Sequence, residues 1–138
     1  MGKRRNGREI AIQFLFSRDI NNDLGPNDFE SFFSLCITRE DSQEFAKELL
    51  IGILEKIDEI DERLAPQLEN FKIKRLSTID RNVLRLAIYE MFYLDEVPPI
   101  VCINEAIEIS KRFGTEDSGN FVNGVLDKLK EQLTRPLR

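Results

Sequence analysis

Six apolar residues spaced three and four apart (Phe45, Leu49, Ile53, Ile57, Ile60 and Leu64) most constrain what this chain can fold into. That spacing lines one side of an α-helix, whereas a strand would alternate with a period of two. Asp41 or Ser42 is expected to cap this helix, and Pro66 to end it or to begin a short turn. The same periodicity recurs on either side. Over residues 4–20, Ile10 with Phe14 and Ala11 with Leu15 give one apolar face, and Asn21-Asn22 and Gly25-Pro26 then break the pattern. A short helix is expected near residues 27–36. Residues 67–76 carry room for one helical turn. Ser77 or Thr78 caps a helix reaching about residue 94. Its apolar residues cover more than one face, which makes it a central, buried element. Pro98-Pro99 opens another helix, closed near residue 113 by Gly114 as the glycine that follows a helix end. Thr115, Asp117 or Ser118 caps a last one, and Pro136 marks its frayed end. No run alternates as a strand would, and no repeat stands out. The expected class is all-α: about six to seven helices with short connections, in a single domain over residues 1–138.

The two cysteines, Cys36 and Cys102, stand far apart and form no paired motif. A disulfide framework or a C-x-x-C metal site is therefore not expected, and a reducing, cytoplasmic setting fits. Cys102 lies in an apolar run and reads as a core thiol. No run of about 18 apolar residues exists to span a membrane. The basic amino terminus lacks the apolar segment of a secretory signal. Histidine, the commonest general base and metal ligand, is absent. There is no phosphate-binding glycine loop and no nucleophile elbow. Carboxylates such as Asp58-Glu59 and Asp61-Glu62 read as charged helix faces. No enzyme activity, cofactor or metal is expected.

Charge is unevenly placed. The chain has a formal net charge of −5, yet Lys3, Arg4, Arg5 and Arg8 all precede the first acid, Glu9. Arg4 and Arg8 lie four apart on a helix and share a face, with Arg5 beside them. Cations at a helix start oppose the macrodipole and repel one another. A polyanion partner would offset that cost. A solvated terminus explains the same charges, and the residues alone leave both readings open. Lys111-Arg112 sits in the last turn of its helix, where cations complement the dipole. Within residues 115–124, a helix amino terminus offers N–H groups to an anion, while Phe121 has the spacing of a core residue. Asn123 and Gly124 cost helix propensity. Gly124 is expected to permit close helix contact, and Asn123 and Asn104 to be buried and hydrogen-bonded.

Several blocks in order carry a family likeness. They are Val83-Leu84-Arg85-Leu86-Ala87-Ile88-Tyr89-Glu90, then Ile103-Asn104-Glu105-Ala106-Ile107-Glu108-Ile109, then Lys111-Arg112-Phe113-Gly114, then Glu116-Asp117-Ser118, and last Phe121-Val122-Asn123-Gly124-Val125-Leu126-Asp127-Lys128. With Arg4-Arg5, Arg8-Glu9, Ala11 and Gln13, the chain resembles the NusB family of transcription antitermination proteins over nearly its whole length, least over residues 21–40. The resemblance implies two packed helical subdomains. It implies binding of boxA RNA in ribosomal RNA leaders together with NusE, a small-subunit ribosomal protein, within an antitermination complex on RNA polymerase. By position, Lys3, Arg4, Arg5, Arg8, Gln13, Phe16, Lys111, Asp117 and Phe121 are the implied RNA contacts, and Asp80 is the implied NusE contact. Phe16 stands where the family often has tyrosine, so it keeps a stacking face and loses a hydroxyl. Gly7 replaces the usual alanine and is expected to loosen the start of the first helix by up to about 1 kcal/mol. Some relatives self-associate through the RNA-facing surface, so a homodimer stays open. Two further readings stay open beside this one: a protein-interaction module, and an accessory domain like those preceding the catalytic domain of some RNA cytosine methyltransferases.

Overall fold

The computed structural model describes residues 2–36, 38–68 and 72–138. Helix α1 spans Lys3–Ile20, α2 Phe29–Ser34, α3 Glu40–Leu64, α4 Thr78–Tyr93, α5 Pro99–Phe113 and α6 Ser118–Lys130. Short 3-10 turns occupy Pro26–Asp28, Ala65–Gln67 and Ile73–Arg75. Among the described residues there is no strand, and the protein is all-helical as its periodicity predicts. Within residues 67–76 the structure places one full turn, Ile73–Arg75, and residues 69–71 lie outside the described ones. The chain divides into two compact units, Met1–Glu55 and Lys56–Arg138, with the boundary inside α3.

In the first unit, α1 turns Ile10, Ala11, Phe14 and Leu15 into the core. Phe14 meets Phe29 edge-on at 5.0 Å and Phe32 at 5.3 Å, so three rings join α1 to α2. Such pairs each add about 0.5–1.5 kcal/mol beyond the area they bury. Gly7 corrects its sequence reading. A Cβ there would sit 2.7 Å from Phe45 Cδ2 and 3.0 Å from the Ser42 carbonyl oxygen. Its propensity cost is thus repaid by close packing of α1 on α3, and α1 is helical from Lys3 onward. The expected cap of α3 is also corrected. The helix starts at Glu40, so Asp41 and Ser42 lie inside its first turn. Ser42 is fully buried, and its Oγ has no hydrogen-bond partner among the described residues.

In the second unit, α4, α5 and α6 pack on one another. Ser77 caps α4 as expected, its Oγ accepting from the Asp80 N–H at 3.1 Å. Val83, Leu84, Ile88 and Met91 are fully buried, which bears out α4 as the central helix. Arg85 is buried beside them and donates through Nε and Nη2 to the two carboxylate oxygens of Asp61, each at 2.9 Å. Its Nη1 donates to Asn82 Oδ1 at 3.2 Å. Cys102 is the core thiol expected, 2 % exposed.

Gly114 follows the last residue of α5, as expected, whereas the expectations for Asn104, Asn123 and Gly124 fail. Gly114 ends α5 with φ −102° and ψ −160°, an extended conformation open to any residue. Close approach selects the glycine instead, since a Cβ would collide with Ser118 Oγ and lie 2.8 Å from the Ser110 carbonyl oxygen. Asn104 and Asn123 are exposed, not buried. Gly124 makes no close helix contact, because a Cβ there would meet nothing within 4 Å.

The carboxyl-terminal end is fastened rather than frayed. Arg135 donates to the carbonyls of Glu90 and Met91 in the last turn of α4 and to that of Val97, all at 3.0–3.1 Å. The Ile100 N–H donates to the Leu137 carbonyl at 3.0 Å. A guanidinium satisfies the open carbonyls of a helix end with fixed geometry. Arg135→Ala is expected to lower stability by about 2 kcal/mol, read as a lower urea midpoint. Arg135→Lys should recover little, because an ammonium lacks the planar fork. A midpoint unchanged by Arg135→Ala would show that the tail is not fastened by this side chain.

Candidate nucleic-acid interface

Spacing along α1 separates the amino-terminal cations into two rows. Arg5, Glu9, Gln13, Phe16 and Ile20 follow one another at three- and four-residue steps, the rule for neighbours on a helix surface. Gln13 is exposed, Phe16 is 38 % exposed and Ile20 is 75 % exposed. Arg5 is half-buried at the head of this row. Arg4 and Arg8 belong to the other row, which continues inward through Ala11 and Leu15. Arg4 remains exposed, but Arg8 is only 2 % exposed. Both guanidinium groups lie over the ring of Phe45 in α3, at 5.8 Å and 5.7 Å from its centroid. Lys3 is exposed at the start of the helix.

This arrangement refines the sequence view. Arg4 and Arg8 do share a face, but that face turns toward α3. The exposed ring of Phe16 lies in line with Arg5 instead. A guanidinium and an exposed ring on one helix row, roughly 16 Å apart along the axis, suit a strand that offers both phosphates and bases. Phe45 carried no such signal in the sequence, where it reads only as one member of the α3 stripe.

In the second unit, Lys111, Asp117 and Phe121 gather at the start of α6. The Lys111 stem lies against Gly119, where a Cβ would come within 3.2 Å of its Cγ. Lys111 Nζ is 3.7 Å from Glu108 Oε1, an exposed pair of small energetic weight. Asp117 precedes the first residue of α6, and its carbonyl accepts from the Phe121 N–H at 3.0 Å. Lys111 and Asp117 are exposed and Phe121 is half-buried. Asp80 sits in the first turn of α4, with Oδ1 shielded from solvent and unbonded among the described residues.

Other features of the molecule differ in character. A cleft of about 310 Å³ between α2 and α3 is lined by Glu30, Glu40 and Glu44 with Lys47, and its acidic rim is unsuited to a phosphate chain. Burial raises the pKa of the Cys36 thiol above its ordinary value. Among the described residues, no three acidic, cysteine or histidine side chains are grouped to hold a metal ion, and no helix is long and apolar enough to cross a membrane.

The described residues form a small all-helical protein whose first helix carries clustered cations and an exposed ring. The model of the NusB family matches residues 5–131. The transcription antitermination protein NusB of Desulfosudis oleivorans is 44 % identical over 137 residues, covering 96 % of this chain and 88 % of the relative. That of Bacillus cereus strain B4264 is 43 % identical over 131 residues, covering 95 % and 99 %. Among solved structures, T. maritima NusB superposes with a TM-score of 0.85 at 36 % identity, covering 96 % of this chain and 93 % of that one. A complex of the antitermination factors NusB and NusE with double-stranded RNA contains a chain that matches with a TM-score of 0.84 at 27 % identity, covering 95 % and 98 %. The chain belongs to the NusB family, a family of transcription antitermination factors and not of enzymes.

Proposed function

We propose that this chain binds boxA RNA of ribosomal RNA leaders together with the ribosomal protein NusE, and so supports antitermination by RNA polymerase in the cytoplasm as a single functional domain. The observation that carries this reading is the make-up of α1, where the exposed Lys3 and Arg4 and the half-buried Arg5 are followed by the exposed Gln13 and the open ring of Phe16. The cations meet phosphates and the ring stacks on an unpaired base. Lys111, Asp117 and Phe121 at the start of α6 are a second group of RNA contacts. Arg8, being buried, supports its neighbours rather than facing solvent. Asp80 is the proposed NusE contact. A structural relative in complex with NusE and RNA supports the choice of partners.

The formal net charge of −5 limits what the cationic row can achieve alone, because distant acidic groups oppose the approach of RNA. NusE binding is therefore expected to raise RNA affinity. Titrating a short boxA RNA with this protein, with NusE, and with both tests this. A mixture that binds at least about tenfold tighter, equivalent to about 1.4 kcal/mol, is the expected result. Equal affinity with and without NusE would remove cooperative binding from the proposal.

A further inference from the structure

We infer that Phe45 is a positioning residue for RNA binding: its ring orders the Arg4 and Arg8 guanidinium groups at the amino-terminal end of α1. This inference rests on the RNA-binding role proposed above and assigns a residue of α3 to it. Both guanidinium carbons lie within 6 Å of the same ring centroid. Gly7 lies between the two arginines in the sequence, and its missing side chain makes the room that Phe45 fills, 2.7 Å from where a Cβ would stand. The ring itself is 7 % exposed and cannot stack on a base. Its contribution to a ligand must therefore pass through the arginines it touches.

The physical reason is preorganisation. A free arginine at a helix start loses much side-chain freedom when it engages a phosphate, and affinity falls by that amount. An aromatic face holds a guanidinium by its quadrupole and, unlike a carboxylate, does not cancel its charge. One ring serving two cations four residues apart also eases the repulsion expected between them. Arg8 is the inner member and Arg4 the exposed one, so Arg4 is the group through which the effect reaches RNA.

A double-mutant cycle tests this. Phe45→Met nearly conserves core volume and removes the ring face, and Arg4→Gln removes the exposed cation. Binding of a short boxA RNA is measured at low salt, with urea midpoints confirming that each variant is folded. Phe45→Met is expected to weaken binding by about twofold to fivefold, the equilibrium equivalent of an exposed cation–π contact. In the Arg4→Gln background the same substitution should have almost no effect, and Phe45→Tyr, which keeps a ring, should retain affinity. Additive losses, or a folded Phe45→Met variant that binds as the wild type does, would overturn the inference. A second readout needs no variant: ring currents should move the Arg4 and Arg8 side-chain N–H resonances of the native protein upfield, and unshifted resonances would also overturn it. If Arg4→Gln itself leaves RNA binding unchanged, the proposed site on α1 falls along with this inference. If Arg4→Gln weakens binding and Phe45→Met does not, only the inference falls.

Discussion

Replacing Asp61 with alanine is expected to lower the unfolding free energy by about 3 kcal/mol, in the range seen when one partner of a buried ion pair is removed. The Asp61 and Arg85 side chains are 27 % and 10 % exposed, and two parallel 2.9 Å bonds join them. Exposed ion pairs contribute at most about 1 kcal/mol because water replaces them readily. Water cannot do so as well here, since Arg85 leaves α4 among Val83, Leu84 and Ile88. Without the carboxylate, the guanidinium keeps its bond to Asn82 but loses the opposite charge that offset its desolvation. Asp61→Asn retains an acceptor and should be less harmful. Urea denaturation with an unchanged m-value measures both. A loss below about 1 kcal/mol for the alanine variant would show that the pair behaves as a surface contact.

The second large effect concerns RNA. Reversing charge at Arg4 and Arg5 together, to glutamate, is expected to weaken boxA binding about 100-fold at low salt, or about 2.7 kcal/mol. Two cations no longer meet phosphates, and two carboxylates repel the strand in their place. The dependence of log affinity on log salt should flatten by about 0.7 for each single-strand phosphate that is no longer neutralised. Arg4 is exposed and Arg5 half-buried, so the variant should remain folded. Arg8 is left intact because reversing a buried cation against Phe45 would confound binding with stability. Undiminished affinity with an unchanged salt slope would remove these residues from the site.

Local features of the sequence translated well. The α3 stripe apart from the half-buried Ile57, the Ser77 cap, the burial of α4 and the core placement of Cys102 all follow from periodicity, hydrogen-bonding side chains and apolar context within a few residues. Features that depend on distant partners did not translate. Gly7 reads as a residue that loosens the start of α1 until the Ser42 carbonyl and the Phe45 ring, far along the chain, arrive beside it. Arg135 reads as part of a loose end, although its four bonds reach back about forty residues to α4 and Val97. Asn104 and Asn123 were expected in the core because helix interiors disfavour asparagine, yet they face solvent where that penalty has no packing compensation. The arginine cluster was legible as charge. Its division into a row that leads to Phe16 and a row held on Phe45 was not, because the latter ring belongs to another helix.

The placement of RNA on α1 can be measured by recording backbone and arginine side-chain NMR spectra of the native protein while a boxA RNA is titrated in. The largest shifts are expected at Lys3, Arg4, Arg5, Gln13 and Phe16, with a second group at Lys111, Asp117 and Phe121. Saturable shifts confined to other surfaces, such as the acidic cleft between α2 and α3, would contradict it, as would a spectrum that RNA leaves unchanged.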